Sequence, residues 1–496
     1  MSSNLETAAQ PEQLRRVAID PVSRVEGHGK VTLLLDENNQ VQQVRLHIVE
    51  FRGFEKFIQG RPYWEVPVMV QRLCGICPVS HNLAASKALD VIVGAKQLPP
   101  SAEKIRRLMH YGQILQSHAL HMYYLSAPDL LFGFDSDMAL RNIVGVAKQY
   151  PETAKQGILL RKFGQEVIRI TSGKRIHGTG AIPGGMNKAV SQDERDFLKK
   201  DIDQIITWGV AAVQMVKQLH QQNPAMYNSF GRFSSSMMSL VGQGGAMDLY
   251  DGVLRVRDAQ GALMVDGFDY QDYGKLIAEE VKPWTYMKFP FLKSIGSEDG
   301  WYRVGPLSRL QNCDFIGTPL AEQERREFIA ATDGPMHAPL GYHWARMIEL
   351  LHAAELIGDL LDDPDIMGAD LVAQGQRGKA DIREGVGVIE APRGTLIHHY
   401  QVDENDLVTM CNLIVSTTHN NQAMNEAIRA VSRQYLNGNE ITEGLLNHIE
   451  VAIRAFDPCL SCATHALGKM PLIAELRDVE GKLVHSLTRS PPNLLV

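Results

Sequence analysis

Four of the six cysteines in this chain stand in two Cys-x-x-Cys pairs near its opposite ends. Cys74 and Cys77 lie in QRLCGICPVSH, and Cys459 and Cys462 lie in FDPCLSCATH. On a helical turn, a spacing of three residues places both sulfurs of a pair on the same face. In the second pair we expect Asp457 to cap a helix, which would put Cys459 near a positive helix end that stabilises a thiolate. Both pairs are therefore suited to offering thiolates to a metal.

Two pairs at this spacing are also typical of a structural zinc site, and the spacing alone leaves that alternative open. Zinc ribbons, however, usually separate their pairs by about 15–20 residues, whereas Cys77 and Cys459 are 382 positions apart. A dithiol redox site needs only one pair and leaves the second unexplained. The wide separation therefore argues against the common zinc arrangement.

Helical periodicity dominates the segments that must hold these cysteines in place. A long helix is predicted from Ser101 to Ser126, where large apolar residues recur every three or four positions after two prolines. Further helices are predicted over 191–222, 321–332, 341–362 and 404–438, β hairpins over 30–50 and 249–269, and loops over 173–185 and 384–394. These patterns predict one large α+β body that is mainly helical, with β hairpins at its periphery.

The composition is that of an ordinary globular protein, with 496 residues of which 44% are hydrophobic and 22% charged. A net charge of −7 gives no basic field for nucleic acid or for an anionic membrane, so neither is an expected partner. The first residues lack a secretory signal pattern, and no apolar run reaches the length of a membrane span. We therefore predict a cytoplasmic protein without a membrane span.

Five motifs, taken together, resemble those of the large catalytic subunit of nickel-iron hydrogenases. They are RVEGH (24–28), RGFE (52–55), RLCGIC (72–77), APRG (391–394) and DPCLSCATH (457–465). The resemblance implies the fold of that family, an α+β fold with a central helix bundle. The segments VSTTHN (415–420) and DPCLSCATHA (457–466) are most similar to the cytoplasmic, NAD-reducing bidirectional type.

The resemblance implies a nickel-iron centre held by the two cysteine pairs. Four thiolates suit a soft metal such as nickel, and in the family pattern Cys77 and Cys462 also bridge to iron, while Cys74 and Cys459 bind nickel alone. The iron of this family carries carbon monoxide and cyanide ligands. A buried cyanide nitrogen is a hydrogen-bond acceptor, so the protein must place donors around it.

Several residues match family positions that surround this centre. Arg393 matches an arginine whose guanidinium lies over the metals, Thr417 matches a hydroxyl that faces a cyanide, and His81 matches a histidine beside a bridging sulfur. Heterolytic cleavage of dihydrogen requires a base, for which Cys459 is the first candidate and Glu26, in RVEGH, the next acceptor. Without the motifs, Arg393 would be interpreted as a surface residue and Glu26 as a structural cap.

A second, magnesium-type site is implied near the C-terminus. The expected protein ligands are Glu55 of RGFE, His465 and the backbone carbonyl of Leu413. A carboxylate and a carbonyl suit a hard cation, although a histidine ligand is less usual.

The long helix after the first cysteines departs from the family pattern. Many membrane-bound relatives have an Asp-His pair where this chain has Ser117 and His118, which removes a carboxylate from the surroundings of Arg393. We expect His110, His118 and His121 on this helix to pack or to form hydrogen bonds rather than to bind metal.

The resemblance also implies a mature catalytic domain over 1–465. The C-terminal extension over 466–496 would be removed by a maturation endopeptidase once nickel is bound. This tail contains a hairpin-like pattern around RDVEG. An ordinary terminal hairpin is the alternative.

Electrons released from dihydrogen must leave through other subunits. Only Cys313 and Cys411 remain outside the pairs, too few for a four-cysteine iron-sulfur cluster, and HGTGAIPGG (177–185) lacks the spacing of a dinucleotide-binding loop. The resemblance therefore implies a small iron-sulfur hydrogenase subunit and a flavin diaphorase, which carry the iron-sulfur clusters, FMN and NAD. Alternatives are another acceptor such as NADP or a deazaflavin, a noncatalytic subunit like that of complex I, and a zinc-stabilised scaffold.

Overall fold

Helices make up most of the regular structure in the computed structural model, which describes residues 5–95, 97–373, 382–466, 472–477 and 483–489. The helices of eight or more residues are α1 (Pro78–Ile92), α2 (Pro100–Leu120), α3 (Pro151–Ser172), α4 (Gln192–Lys199), α5 (Ile202–Gln222), α6 (Pro319–Ala330), α7 (Gly341–Asp362), α8 (Asn421–Val431) and α9 (Glu443–Ala455). Shorter helices span Phe54–Phe57, Val66–Met69, Ala127–Phe132, Ile143–Gln149, Pro224–Ser229, Tyr273–Leu276, Pro306–Asn312 and Ser416–His419.

A central bundle forms where α2 packs against α3 and α7, and α7 packs against α5. Gly112 and Gly164 bring α2 and α3 close together, because a Cβ on Gly164 would lie 2.6 Å from the carbonyl oxygen of Gly112. Helix α7 is buried on nearly all sides, and its buried residues include charged side chains such as Arg346 and Glu349 beside the apolar ones. The predicted long helix corresponds to α2, followed by a π-helical turn over His121–Ser126.

Three sheets pack mainly on other helices: the first on α8, the second on the short helix Pro306–Asn312 and the third on α1. The first contains β1 (Arg15–Ile19), β2 (Gly29–Leu35) and β3 (Val41–Ile48), all antiparallel. The second contains β4 (Ser236–Val241), β5 (Val253–Arg257) and β6 (Leu263–Phe268), with the short strand Tyr302–Arg303 parallel to β4. The third contains β7 (Glu384–Ala391), β8 (Gly394–Val402) and β9 (Val408–Ile414). Both hairpins predicted from the sequence are present, as β2–β3 and β5–β6.

Three short strand pairs complete the described sheets. They are Ala181–Ile182 with Gly185–Met186, Ile277–Glu280 with Phe289–Leu292, and Leu472–Arg477 with Leu483–Arg489. The last pair is antiparallel and agrees with the hairpin pattern of the tail, although the loop residues around RDVEG fall outside the described residues.

The loop predicted over 384–394 is wrong, because β7 occupies most of it. Its glycines permit close packing on α1: a Cβ on Gly385 would lie 2.1 Å from the carbonyl oxygen of Ala88, and one on Gly387 would lie 2.2 Å from that of Ala84. Glycines in a strand can mark such close approach rather than a loop.

The helical pattern predicted over 404–438, which indicates two or more helices, is wrong in its first part, which forms β9, whereas Ser416–His419 and α8 follow as helices. The run VTMCNLI contains β-branched residues and is half-buried to buried beside β8 except at Thr409, so sheet pairing overrides the apparent helical period. Helix α3 was not predicted from the sequence. Among the described residues, none of the helices has the length and hydropathy needed to cross a bilayer.

The turn between β7 and β8 is held by a buried ionic network. Arg309 Nη1 donates to the carbonyl oxygen of Ala391 at 2.8 Å, and Nη2 donates to that of Pro392 at 3.2 Å. The same guanidinium pairs with Glu349 and Glu390. The two carbonyls belong to the residues just before Arg393. This network therefore fixes the backbone position from which the Arg393 side chain extends.

Candidate metal centre

Four cysteine sulfurs from both ends of the chain lie together in the interior. The Sγ atoms of Cys74, Cys77, Cys459 and Cys462 are all within 4.8 Å of one another. Cys459 Sγ is 3.2 Å from that of Cys74 and 3.0 Å from that of Cys462, while Cys77 Sγ is 3.7 Å from that of Cys462. None of the four forms a disulfide. Such a group of thiol ligands suits a single soft metal centre.

The first pair lies in a loop that leads into α1. Cys74 follows the 3₁₀ turn Val70–Leu73 in an extended conformation, and Cys77 is the residue at which α1 begins. The loop is fixed by its backbone: Ile76 donates its N–H to Cys74 Sγ at 3.2 Å. Cys77, rather than Cys459, therefore has the helix N-terminus that favours a thiolate.

The second pair lies where the chain leaves α9 and crosses the loop of the RVEGH motif. Cys459 forms an isolated parallel β-bridge with Glu26, and Cys462 is in the 3₁₀ turn Ser461–Ala463. The expected helix cap at Asp457 is wrong: this residue has a left-handed backbone, with φ of 54°, and no helix of four or more residues follows it in the described part up to residue 466.

Burial and mutual hydrogen bonds shift the pKa values of three of the cysteine thiols in different directions. Hydrogen bonds from neighbouring cysteines lower the pKa of Cys77 well below its usual value. Burial raises the pKa values of Cys459 and Cys462 well above theirs. Four thiolates cannot share this space without a cation, so the donor set fits a divalent metal.

Arg393 lies beside the cluster and pairs with Asp457. Its Nη2 is 3.1 Å from Asp457 Oδ1, and Nη1 donates to Ser117 Oγ at 3.4 Å. Burial opposes the charge of Arg393, but Asp457 and the cysteine sulfurs outweigh it and raise its pKa. Ser117 thus does face Arg393 without offering a carboxylate, and Asp457 supplies one instead.

Sequence reasoning missed this role of Asp457. Burial raises its pKa to about 6 against the opposing effects of Arg393 and Arg346. The sequence signal for this role is the position of Asp457, two residues before Cys459 in a motif that otherwise carries metal ligands. The same position also fits a helix cap, which is the interpretation that the sequence favours.

A small cavity of about 10 Å³ adjoins Cys77 and Cys459. Thr417 lines it, and its Oγ1 accepts the Cys459 N–H at 2.9 Å, which leaves the hydroxyl proton free for another acceptor. Arg393 also lines the cavity, and its buried Nε has no hydrogen-bond partner in the structure. A cavity with buried, unpaired donors suits an acceptor ligand held on a metal.

Glu26 reaches the cluster from the other side. Its Oε2 lies 3.1 Å from Cys459 Sγ and accepts the backbone N–H of Ser461, also at 3.1 Å. Its backbone carbonyl accepts the N–H of Leu460 at 3.0 Å. Both ends of Glu26 are therefore held, with its carboxylate against a cluster sulfur.

His81 connects the cluster to a buried chain of polar side chains. It lies beside Cys77 and contributes to lowering the pKa of that thiol. Its Nδ1 lies 3.1 Å from His398 Nε2, and His398 Nδ1 lies 2.6 Å from the Tyr400 hydroxyl. His398 and Tyr400, which continue this chain, belong to none of the sequence motifs.

Glu55 and His465 lie near a lysine that the sequence did not single out. Lys288 Nζ is 3.2 Å from Glu55 Oε1 and 3.3 Å from Glu279 Oε2. Burial lowers the pKa of His465 to about 3, helped by Lys288, and neither ring nitrogen has a hydrogen-bond partner. The contact of Leu413 with Glu55 is through its amide N–H, at 2.9 Å, rather than its carbonyl.

The three histidines of α2 and the turn after it bond to protein atoms, as expected. His110 Nε2 lies 2.8 Å from the carbonyl oxygen of Leu249, and His121 Nε2 lies 2.7 Å from that of Arg454. His118 Nε2 lies 3.0 Å from Glu349 Oε2, so it joins the network that holds the Arg393 turn.

Comparison with known proteins places the chain among nickel enzymes. A family model described as nickel-dependent hydrogenase matches residues 52–140 and 255–465, and one described as HoxL-like matches residues 16–51. The chain is 47% identical over 488 residues to the NAD-reducing hydrogenase HoxS subunit beta of Cupriavidus necator, with 96% of this chain and 100% of that protein covered. It is 30% identical to sulfhydrogenase 2 subunit alpha of Pyrococcus furiosus, covering 90% of this chain and 98% of that protein.

Solved structures show the same similarity. An NAD⁺-reducing [NiFe]-hydrogenase in the H₂-reduced state is 60% identical, with a TM-score of 0.89 over 91% of this chain and 99% of that chain. A [NiFeSe]-hydrogenase from Dm. baculatum is 21% identical with a TM-score of 0.74, over 91% of this chain and 100% of that one, and shows a likeness of fold alone.

Proposed function

Because the chain belongs to the nickel-dependent hydrogenase family and is the large catalytic subunit of a nickel-iron hydrogenase, we propose that it transfers electrons from dihydrogen through partner subunits to NAD. The family and fold expected from the five motifs are confirmed, and the noncatalytic and zinc-scaffold alternatives are excluded. NAD as acceptor is supported by the names of the 47% and 60% identical relatives. The cytoplasm is the compartment in which we place this reaction.

The observation that carries the proposal is the convergence of four buried sulfurs from residues 74–77 and 459–462. In the proposed arrangement all four hold nickel, and Cys77 and Cys462 also hold iron with carbon monoxide and cyanide ligands. The donors around the adjoining cavity, Thr417 and Arg393, fit such acceptor ligands. When bound, the nickel-iron centre supplies the site at which dihydrogen is split heterolytically.

The proton leaves along residues of this chain. Cys459 Sγ takes it first and passes it to Glu26 Oε2, 3.1 Å away. The Ser461 backbone N–H holds the Glu26 carboxylate in place but cannot carry a proton onward, so the proton leaves Glu26 through water. Glu50, whose Oε2 lies 3.5 Å from Ser461 Oγ and which is exposed to solvent by 41%, marks the surface towards which it moves.

Arg393 keeps a fixed positive charge over the centre. An arginine remains protonated in a buried site where a lysine can lose its proton. Asp457 and the carbonyls of the turn position it, while His81 donates to or accepts from the Cys77 sulfur and so adjusts its basicity.

A magnesium-type cation near Glu55 is a further part of the proposal. Glu55 and Glu279 bring two buried carboxylates to Lys288, and His465, whose ring nitrogens are unpaired, is influenced by the same lysine. This donor set fits a divalent cation with Glu55, His465 and the carbonyl of Leu413 as ligands. The ammonium of Lys288 balances part of the same negative charge.

The small iron-sulfur subunit is proposed to dock next to the first cysteine pair. Phe57 and Trp64 are more than half exposed and Ile176 nearly so, and they offer apolar surface to a partner. Phe57 and Trp64 precede Cys74 by 17 and 10 positions, and His177, next to Ile176, contacts the carbonyl oxygen of Cys74 at 3.0 Å. Iron-sulfur clusters on this subunit, and FMN and NAD on a diaphorase subunit, complete the proposed electron path.

The C-terminal extension over 466–496 is proposed to be removed by a maturation endopeptidase, which leaves a catalytic domain over 1–465. Residues 457–465 are buried, and Ala466 donates its N–H to the Tyr286 carbonyl oxygen at 2.9 Å. We expect the intact mass of active enzyme to lack residues 466–496. Retention of these residues in enzyme that turns over dihydrogen would contradict the proposed processing.

Metal analysis and infrared spectroscopy of the purified complex test the proposed centre. We expect about one nickel and one iron per large subunit outside the clusters of the partners, and bands from carbon monoxide and cyanide. Reduction of NAD by dihydrogen tests the acceptor. A complex that shows the bands but reduces only NADP or a deazaflavin would refute NAD as acceptor and leave the centre intact.

A further inference from the structure

Ser80 is a fully buried hydroxyl for which the protein provides no hydrogen-bond partner. It lies in the first turn of α1, three residues after Cys77, and has 0% exposure. Its Oγ has no partner within hydrogen-bond distance. Buried polar atoms are nearly always paired, so an unpaired one calls for a physical reason.

The usual solution for a helical serine is blocked here. A serine in a helix commonly donates to the carbonyl oxygen four residues earlier, which for Ser80 is that of Ile76. That carbonyl oxygen already accepts two side-chain amides, from Gln113 Nε2 and Gln116 Nε2, both at 2.9 Å. The glutamines of α2 thus replace Ser80 as the donors to this carbonyl and leave its hydroxyl free.

The free hydroxyl lines the cavity beside the metal centre. Ser80 contributes to the same wall as Cys77, Arg393 and Thr417. The buried Nε of Arg393 is unpaired, and Thr417 has a free proton because its oxygen accepts the Cys459 N–H. The cavity therefore presents three donors and needs an occupant that accepts hydrogen bonds at more than one point.

We propose that Ser80 donates a hydrogen bond to a diatomic ligand of the iron, and so acts as a positioning residue for one specific ligand of the centre. This inference rests on the proposed function, which places carbon monoxide and cyanide in the cavity. Ser80 stands closest along the chain to Cys77, a proposed bridging ligand of iron, whereas Thr417 and Arg393 reach the cavity from the β9 and β7–β8 sides.

The test compares infrared spectra of the complete hydrogenase complex with Ser80→Ala, Ser80→Thr and Ser86→Ala. Ser86 is a matched control, because it lies on α1, is also fully buried with an unpaired hydroxyl, and does not line the cavity. We expect Ser80→Ala to displace one carbon monoxide or cyanide band, Ser80→Thr to restore it towards its original position, and Ser86→Ala to leave the spectrum unchanged. Nickel and iron content should stay at the level of the unsubstituted complex.

The outcomes separate this inference from the proposed function. Absence of all diatomic bands in the unsubstituted complex would refute the proposed centre itself. Unchanged bands in a metal-loaded Ser80→Ala complex would overturn the role of Ser80 and leave the centre in place. Equal displacement of every band would mark the sulfur of Cys77 as the acceptor, which also overturns the assignment to one ligand.

Discussion

Replacing Glu26 by glutamine is expected to lower hydrogen oxidation by about 10²–10⁴-fold while the metals stay in place. A glutamine can still accept the Ser461 N–H, so the loop should keep its shape, but its amide cannot take a proton from Cys459, 3.1 Å away. The exchange of dihydrogen with deuterium oxide should fall with the oxidation rate. Metal content measured on the same sample shows whether the centre is intact.

Glu12→Gln is the control for this substitution, because it makes the same chemical change at an exposed carboxylate. It should leave both rates unchanged. Full isotope exchange in a metal-loaded Glu26→Gln enzyme would remove Glu26 from the proton route.

Replacing Cys462 by alanine is expected to abolish activity and to prevent nickel and iron from being retained together. Loss of a residue that only supports a ligand costs about 10–100-fold in affinity or activity, and loss of a ligand that bridges two metals should cost more. Its sulfur lies 3.0 Å from that of Cys459 and 3.7 Å from that of Cys77, so no other side chain can take its place in the group. Metal content and hydrogen oxidation are the measurements.

Cys313→Ala provides the matched control, since Cys313 is also buried but lies outside the cluster and donates to the Leu310 carbonyl oxygen. This variant should keep its metals and most of its activity. A Cys462→Ala enzyme with both metals and normal turnover would refute the proposed ligand set.

The cluster itself could be predicted from the sequence because its ligands form short motifs. Cysteine pairs, and the arginine of APRG, are recognisable whatever structure surrounds them. Local structure was harder: the pairs were expected on helices, but Cys459 lies in a β-bridge and Cys74 in an extended loop. Metal-ligand spacing constrains the distance between sulfurs and does not specify the backbone that provides it.

The partners of the motif residues could not be predicted, because they come from distant parts of the chain. Lys288 approaches Glu55 from 233 positions away, and Arg309 reaches Ala391 from 82 positions away. Neither belongs to a recognisable pattern. The glycines of β7 misled the prediction for a related reason, since the α1 backbone that they accommodate is invisible in the local sequence.

The distance between the two halves of the metal site sets the order of events during synthesis. Cys74 and Cys459 are 385 positions apart. At about 5–20 residues per second, the ribosome needs roughly 20–80 s to make the intervening chain. Throughout that interval the nascent protein offers, of the four cluster sulfurs, only those of Cys74 and Cys77. A metal ion that binds at this stage can therefore have at most two of its four cysteine ligands. The enzyme can therefore select its metal only after the ribosome has added Cys462.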